Sequence, residues 1–282
     1  MGKFRASLEI IRPVNALMGG IGVIVGAFAS GFFIEPNWFD LILCYIIVFC
    51  VSAGGMIIND LTDIEIDKVN CPERVLPSGR LSIQTARIQF TLYLIVSLIL
   101  AIITWNGSVI IIVVFGQIIT IAYSIKLKRL GFLGNLCVSL VTAASILLGG
   151  ALQNHLDIAL WPTVVAFLCN LGREITKGID DYAGDSQAGV KTIAVRYGLK
   201  SAAILAVCFL IATLIVAFIP FILGYFNILF RVCLLGIGIV LIYVIVQLLR
   251  YPTPENAHSM KTWEKIIMLA GLMAFLLGAI PF

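Results

Sequence analysis

Nine stretches of mostly apolar residues recur along the chain, at roughly 13–34, 38–59, 83–105, 108–125, 132–152, 158–180, 201–223, 226–249 and 264–280. Each approaches or exceeds the length a helix needs to cross about 30 Å of hydrocarbon, and their centres are nearly free of charge. The first stretch runs apolar well past the length of a signal-peptide core and ends without a small-residue cleavage site, so it reads as a span. The pattern predicts an all-α, polytopic membrane protein: a bundle of nine transmembrane helices in one domain covering residues 1–282.

Composition agrees. The chain is 61% hydrophobic and 12% charged, with a mean hydropathy of +1.08, whereas soluble domains are about half apolar and a quarter charged. The net charge of +4 says little, but its placement says more. If the N-terminus lies inside, every Lys and Arg of the nineteen except Arg231 falls on inner segments. That is the positive-inside asymmetry, and an odd span count then puts the C-terminus outside. Seven scattered Cys without a C-x-x-C pair, and only two His, give no metal or disulfide pattern. No nucleic-acid partner is expected, and the oligomeric state is left open.

The outer loops are short and almost uncharged, but two inner segments, 59–82 and 173–200, hold nine of the fifteen acidic residues. They follow the second and sixth spans. A shift of 118 residues carries Asn59, Asp60, Asp63 and Asp67 onto Lys177, Gly178, Asp181 and Asp185. This suggests an internal duplication, with halves at roughly 1–130 and 131–250 and an extra helix at 264–280. Four spans per half keep both acidic segments on one side.

On a helix leaving the membrane, Asn59, Asp63 and Asp67 stack at i, i+4 and i+8, with Asp60 beside them; Glu65 points away. Asp181 and Asp185 repeat the spacing, with Glu174 and Lys177 earlier on that face, and Asp180 turns aside as a solvated or supporting group. Like charges at i, i+4 destabilise a bare helix, so both stripes call for a counter-charge. Oxygen-only ligands suit Mg²⁺, which takes one or two carboxylates and completes its shell with phosphate oxygens. The expected metal donors are therefore Asn59, Asp60, Asp63, Asp67, Asp181 and Asp185. A diphosphate bridged between the stripes would need further cations as a bond to it breaks, and Arg74, Lys128, Arg173, Lys177 and Lys191 are the candidates. Tyr123, at the inner end of the fourth span, is either a ring for a developing cation or an interfacial tyrosine. Asn15 is a buried amide that needs a partner, in substrate or in a neighbouring helix. Gly22 and Gly26 form a G-x-x-x-G suited to helix packing. Lys3, Arg5, Lys261 and Lys265 are read as orienting charges.

At these residues the sequence resembles the UbiA superfamily of intramembrane prenyltransferases. The first motif of that family, N-D-x-x-D-x-x-x-D, stands at Asn59 to Asp67, followed by Lys68 to Arg74 and Pro77 to Arg80. The second runs from Arg173 to Lys177, then Asp181 to Asp185 and Gly189 to Thr192. Tyr123-Ser124, Lys128 and Gly134-Asn135 resemble the family's middle loop. Gly178 stands where many relatives carry Asp, which leaves Glu174 or Asp180 as substitutes. The Arg12-Pro13-Val14-Asn15 opening and the stretch Asn70 to Gly79 are most similar to the archaeal ether-lipid branch. The resemblance implies a Mg²⁺-dependent enzyme of the cell membrane with its site facing the cytoplasm. The implied reaction moves a C20 group from geranylgeranyl diphosphate to a lipid-phosphate acceptor, geranylgeranylglyceryl phosphate. In it, Asp63, Asp67, Asp181, Asp185 and Tyr123 are catalytic, and Arg74, Lys128, Arg173, Lys177, Lys191 and Asn15 bind substrate.

Other classes fit less well. A UbiA-type enzyme with an aromatic acceptor, for a quinone or haem O pathway, shares the same motifs. A secondary transporter would place its ionisable groups near the bilayer midplane, not at helix ends. A CDP-alcohol phosphotransferase would carry a D-G-x-x-A-R element, which is absent.

Overall fold

The structure is a computed structural model that describes residues 2–187 and 189–281. Its helices are α1 (Gly2–Glu9), α2 (Pro13–Ala29), α3 (Trp38–Thr62), α4 (Ile64–Asn70), α5 (Ile83–Ile103), α6 (Gly107–Ile125), α7 (Phe132–Leu152), α8 (Leu156–Asp180), α9 (Tyr182–Gln187), α10 (Ile193–Tyr197), α11 (Leu199–Ile222), α12 (Ile228–Arg250) and α13 (Pro254–Gly278). A 3-10 turn, Leu127–Arg129, joins α6 to α7. The described residues contain no strand.

Helix starts follow local chemistry. Asn37, Ser82, Asn106, Asn227 and Thr253 accept backbone N–H bonds at the first turns of α3, α5, α6, α12 and α13, satisfying donors that have no partner within the helix. Pro13 and Pro254 sit in first turns, where a missing N–H costs nothing.

The long helices close a ring. α2 packs on α3 and α7, α3 on α5 and α6, α6 on α7, α7 on α8, α8 on α11 and α13, α11 on α12, α12 on α13, and α13 returns to α2. Outward faces are apolar: Ile88, Leu92, Ile95, Ile99 and Ile102 make an exposed stripe on α5. Such a surface belongs in lipid. Among the described residues, eight segments are long and apolar enough to cross a membrane, the first of them Gly2–Ala29.

The ninth long helix differs from expectation. α13 begins ten residues before the apolar stretch at 264–280, and its first half carries His258, Lys261, Glu264 and Lys265. α2 ends at Ala29, short of residue 34, and the chain turns so that Phe32 is buried. α1 was not foreseen, because eight residues of mixed polarity give no periodic signal.

The two acidic segments also break where an uninterrupted helix was expected. α3 stops at Thr62 and α4 resumes at Ile64, with Asp63 between them at φ −105° and ψ 5°. α8 stops at Asp180 and α9 resumes at Tyr182, with Asp181 at φ −81° and ψ 5°. The break falls at the same place after a shift of 118 residues, and the bridging hydrogen bonds match. Asp63 N–H donates to Asn59 O at 3.1 Å and Asp181 N–H to Lys177 O at 2.9 Å. Beyond the break, Asp67 N–H donates to Asp63 O at 2.7 Å and Asp185 N–H to Asp181 O at 2.9 Å.

α2 and α7 meet at glycine contacts. A Cβ on Gly26 would lie 1.8 Å from Ile146 O, and one on Gly149 would lie 2.1 Å from Val23 O. Backbones approach this closely only where side chains are missing. Gly26→Ala and Gly149→Ala should each destabilise the protein by about 1–3 kcal/mol or more, lowering its melting temperature in detergent. Gly236→Ala, with open space at its Cβ, should melt like the wild type.

Candidate active site

Each acid of the first helix end is held by a cation from a different element. Asp60, 5% exposed, accepts from Arg12 Nη2 at 2.7 Å. Asp63 accepts from Lys128 Nζ at 2.6 Å, and the same ammonium donates to Thr62 Oγ1 at 2.9 Å and Asn59 Oδ1 at 3.1 Å. Asp67, also 5% exposed, takes Arg74 Nη1 on both oxygens at 2.8 and 2.7 Å. That bond raises the Arg74 pKa above its ordinary value. Arg12 precedes α2, Lys128 lies in the 3-10 turn and Arg74 follows α4, so the three pairs brace three connections onto one helix end.

The second helix end is differently balanced. Glu174 on α8 accepts from Arg173 Nη1 at 3.0 Å and lies 3.8 Å from Lys177 Nζ. Asp181 and Asp185 make no ion pair among the described residues. Burial pushes the Asp185 carboxyl above the usual carboxylate range and the Asp181 charge adds to this, while Lys177 opposes it. A carboxylate pair in that condition favours a bound cation.

Asp180 is neither solvated nor free for a ligand. It is paired with Lys261 and with His258 Nδ1 at 3.3 Å, both on α13. One turn earlier on α8, Thr176 Oγ1 donates to the buried Glu264 at 2.8 Å. The polar first half of α13 therefore braces the end of α8, and Lys261 does more than orient the chain.

Between the helix ends opens a cavity of about 710 Å³. It is lined by every long helix except α5. Arg12, Asn15, Asn59 and Lys177 supply charged or amide groups to its wall, together with Tyr123. Tyr123, near the end of α6, lines the same cavity as Asn59 and Lys177. The rest is mainly apolar, with Val141, Leu214, Leu234, Met268 and Phe275 among its walls. A lipid-sized chain fits such a volume.

The expected residues divide accordingly. Asn15, Asn59, Tyr123 and Lys177 line the cavity, with Asp63 and Lys128 beside Asn59. Arg74 is committed to Asp67 and Arg173 to Glu174. Lys191 is exposed in the loop before α10, its carbonyl packed against Gly131. Asn15 was expected to be buried; it is exposed toward the cavity, because Pro13 starts α2 just before it. Arg12, counted from the sequence as an inner charge and as part of the Arg12-Pro13-Val14-Asn15 opening but not as a site residue, turns out to hold Asp60.

Among the described residues, no three carboxylate, imidazole or thiol groups cluster closely enough to hold an ion unaided. The donor set still fits Mg²⁺. Asn59, Asp63, Asp67, Asp181 and Asp185 offer hard oxygens a few at a time, as a phosphate-bridged Mg²⁺ site requires. Asp60 and Asp67, each 5% exposed and paired with Arg12 and Arg74, would have to share their oxygens with those guanidinium groups to take part.

The chain matches the UbiA prenyltransferase family over residues 19–277. It belongs to the UbiA prenyltransferase family. Full-length relatives agree with that assignment. The digeranylgeranylglyceryl phosphate synthase of Saccharolobus solfataricus is 35% identical, covering 99% of this chain and 98% of its own. That of Sulfurisphaera tokodaii is 37% identical, covering 98% and 99%. A solved structure concerning digeranylgeranylglyceryl phosphate synthase in membranes superposes with a TM-score of 0.91 at 33% identity, covering 99% of both chains. A UbiA homologue from Archaeoglobus fulgidus bound to DMAPP and Mg²⁺ shares the fold, with a TM-score of 0.70 at 19% identity over 95% of this chain and 98% of that one.

In this UbiA family member Asp180 and Lys261 should behave as a structural pair. Lys261→Met should cost roughly 1–3 kcal/mol by stranding a mostly buried carboxylate. Asp180→Asn combined with Lys261→Met should cost less than the sum of the single changes, measured by thermal melting. Asp180→Asn alone should retain most of the prenyl-transfer rate, whereas Asp181→Asn should not.

Proposed function

We propose that this enzyme transfers a geranylgeranyl group from geranylgeranyl diphosphate to the free hydroxyl of geranylgeranylglyceryl phosphate, releasing diphosphate and forming the archaeal diether lipid precursor. The observation that carries this reading is the pair of acidic helix ends, broken at matched residues and flanking the polar part of a deep apolar cavity. The names of the full-length relatives favour the same donor and acceptor. The matched breaks also support duplicated halves at 1–130 and 131–250, within one domain. The Lys and Arg asymmetry favours a multi-pass protein of the cell membrane, with this site on the cytoplasmic side.

Asn59, Asp63, Asp67, Asp181 and Asp185 hold Mg²⁺ against the diphosphate. The metal neutralises the charge that builds on the leaving group as the allylic C–O bond breaks. Lys128, Arg74, Arg173, Lys177 and Lys191 share that charge. Pairs with Asp63, Asp67 and Glu174 keep Lys128, Arg74, Arg173 and Lys177 gathered before substrate arrives. The bonding electrons leave with the diphosphate, and the prenyl carbon becomes cation-like. The aromatic face of Tyr123 supports that carbon, and the apolar wall behind it keeps water away. The acceptor oxygen then forms the new C–O bond, and its proton passes to the released diphosphate.

Asp63→Ala and Asp181→Ala should each lower transfer by at least about 10²–10³-fold while remaining monodisperse in detergent, and EDTA should halt pyrophosphate release. Full activity in either variant or in EDTA contradicts the metal–diphosphate reading. Purified protein with labelled geranylgeranyl diphosphate should prenylate geranylgeranylglyceryl phosphate and leave 4-hydroxybenzoate unmodified. The reverse preference would assign an aromatic acceptor.

A further inference from the structure

We propose that Arg12 binds the phosphate of the lipid acceptor; this rests on the acceptor assigned above. Arg12 has φ 46° and ψ 66°; among the described residues it is one of three non-glycine residues with positive φ and the one of them that lines the cavity. A left-handed backbone costs roughly 1–3 kcal/mol at a side-chain-bearing residue and persists where the surroundings impose it. Here it separates α1 from α2, and the side chain reaches back to α3.

The guanidinium is only partly used. Its five N–H donors have one strong acceptor, Asp60 Oδ1 at 2.7 Å, and one weak acceptor, Met56 Sδ at 3.7 Å. The side chain is 34% exposed. Lys128, by contrast, has three oxygen acceptors, and Arg74 grips both oxygens of Asp67. The Arg12 edge now resting on a methionine sulfur can take two phosphate oxygens while the other edge keeps Asp60 neutralised.

Depth selects the acceptor over the donor. α3 runs toward the first acidic helix end, so Met56 and Asp60 lie roughly 10 and 5 Å short of Asp63 along the axis. The Arg12 guanidinium, bonded to both, therefore sits deeper than the level of Asp63, where the diphosphate would be held. The reacting carbon is bonded to the diphosphate oxygen on the tail side, and so lies deeper too. The acceptor hydroxyl must reach that carbon, and only three bonds separate its carbon from the acceptor phosphorus. The second phosphate is thus drawn to the level of the reacting carbon. Lys177 also lines the cavity, but it is half exposed and leans on Glu174 beside the second acidic end.

The test is initial-rate kinetics in lipid nanodiscs for wild type, Arg12→Gln and Arg12→Lys, varying each substrate in turn. Arg12→Gln should raise the KM for geranylgeranylglyceryl phosphate at least about thirtyfold, with the KM for geranylgeranyl diphosphate unchanged within about twofold. Arg12→Lys, which keeps the charge without the fork, should fall between the two. With geranylgeranylglycerol, which has no phosphate, Arg12→Gln should lose at least about tenfold less of the wild-type rate than it loses with geranylgeranylglyceryl phosphate. If Arg12→Gln does not fold, Arg12→Lys carries the same comparison with a smaller shift. A parallel rise in both KM values, or an equal loss on both acceptors, overturns the assignment while leaving the acceptor reading intact. Wild-type protein inert toward geranylgeranylglyceryl phosphate but active on 4-hydroxybenzoate removes that reading, and this inference with it.

Discussion

A carboxylate at the edge of hydrocarbon must have a partner, and this fold is arranged around that requirement. Asp60, Asp63 and Asp67 stand on one helix end and would repel each other if left alone. Arg12, Lys128 and Arg74 reach them from three different connections. Neutralising the acids thus also fixes the chain between α1 and α2, the turn between α6 and α7, and the loop after α4. The second end takes its bracing from α13, through Asp180 with Lys261 and Thr176 with Glu264. Asp181 and Asp185 are left without an ion pair among the described residues. One acidic end is closed by protein cations, and the other keeps charge in hand for a ligand.

The apolar bundle gives that imbalance its use. Glycine contacts bring α2 and α7 together, while the ring of long helices leaves a deep cavity inside it. Its polar groups meet the acidic ends, and its body suits an isoprenoid tail. In the proposed reaction, a diphosphate at the acidic ends and a tail among apolar side chains would put the scissile bond at the boundary between them. There ionisation is supported on one side and water is excluded on the other.

Much of this was legible in the sequence, because two strong periodicities carry it. Apolar runs of membrane-spanning length pointed to the helical class, and the i, i+4 spacing of Asp63, Asp67, Asp181 and Asp185 pointed to the candidate site. What escaped were partners brought from far along the chain. Arg12 meets Asp60 across forty-eight positions and Lys261 meets Asp180 across eighty-one, and no local pattern encodes such distances. The break at Asp63 was hidden because Ile64 to Asn70 resume a helix at once, so the polar stripe reads as continuous. The early start of α13 was hidden for the opposite reason: its polar first half gives no span signal, although Thr253 and Pro254 mark a helix start.

The central claim is that both acidic ends serve one metal-bridged diphosphate. The most direct measurement is a crystal structure with Mn²⁺ in place of Mg²⁺ and a non-reactive thiodiphosphate analogue of the donor, locating the ions by anomalous scattering. The account predicts ions about 2.0–2.2 Å from oxygens of Asp63 or Asp67 on one side and of Asp181 or Asp185 on the other, joined through the same diphosphate. An analogue bound at one helix end alone, with Asp181 and Asp185 turned away from it, would contradict it.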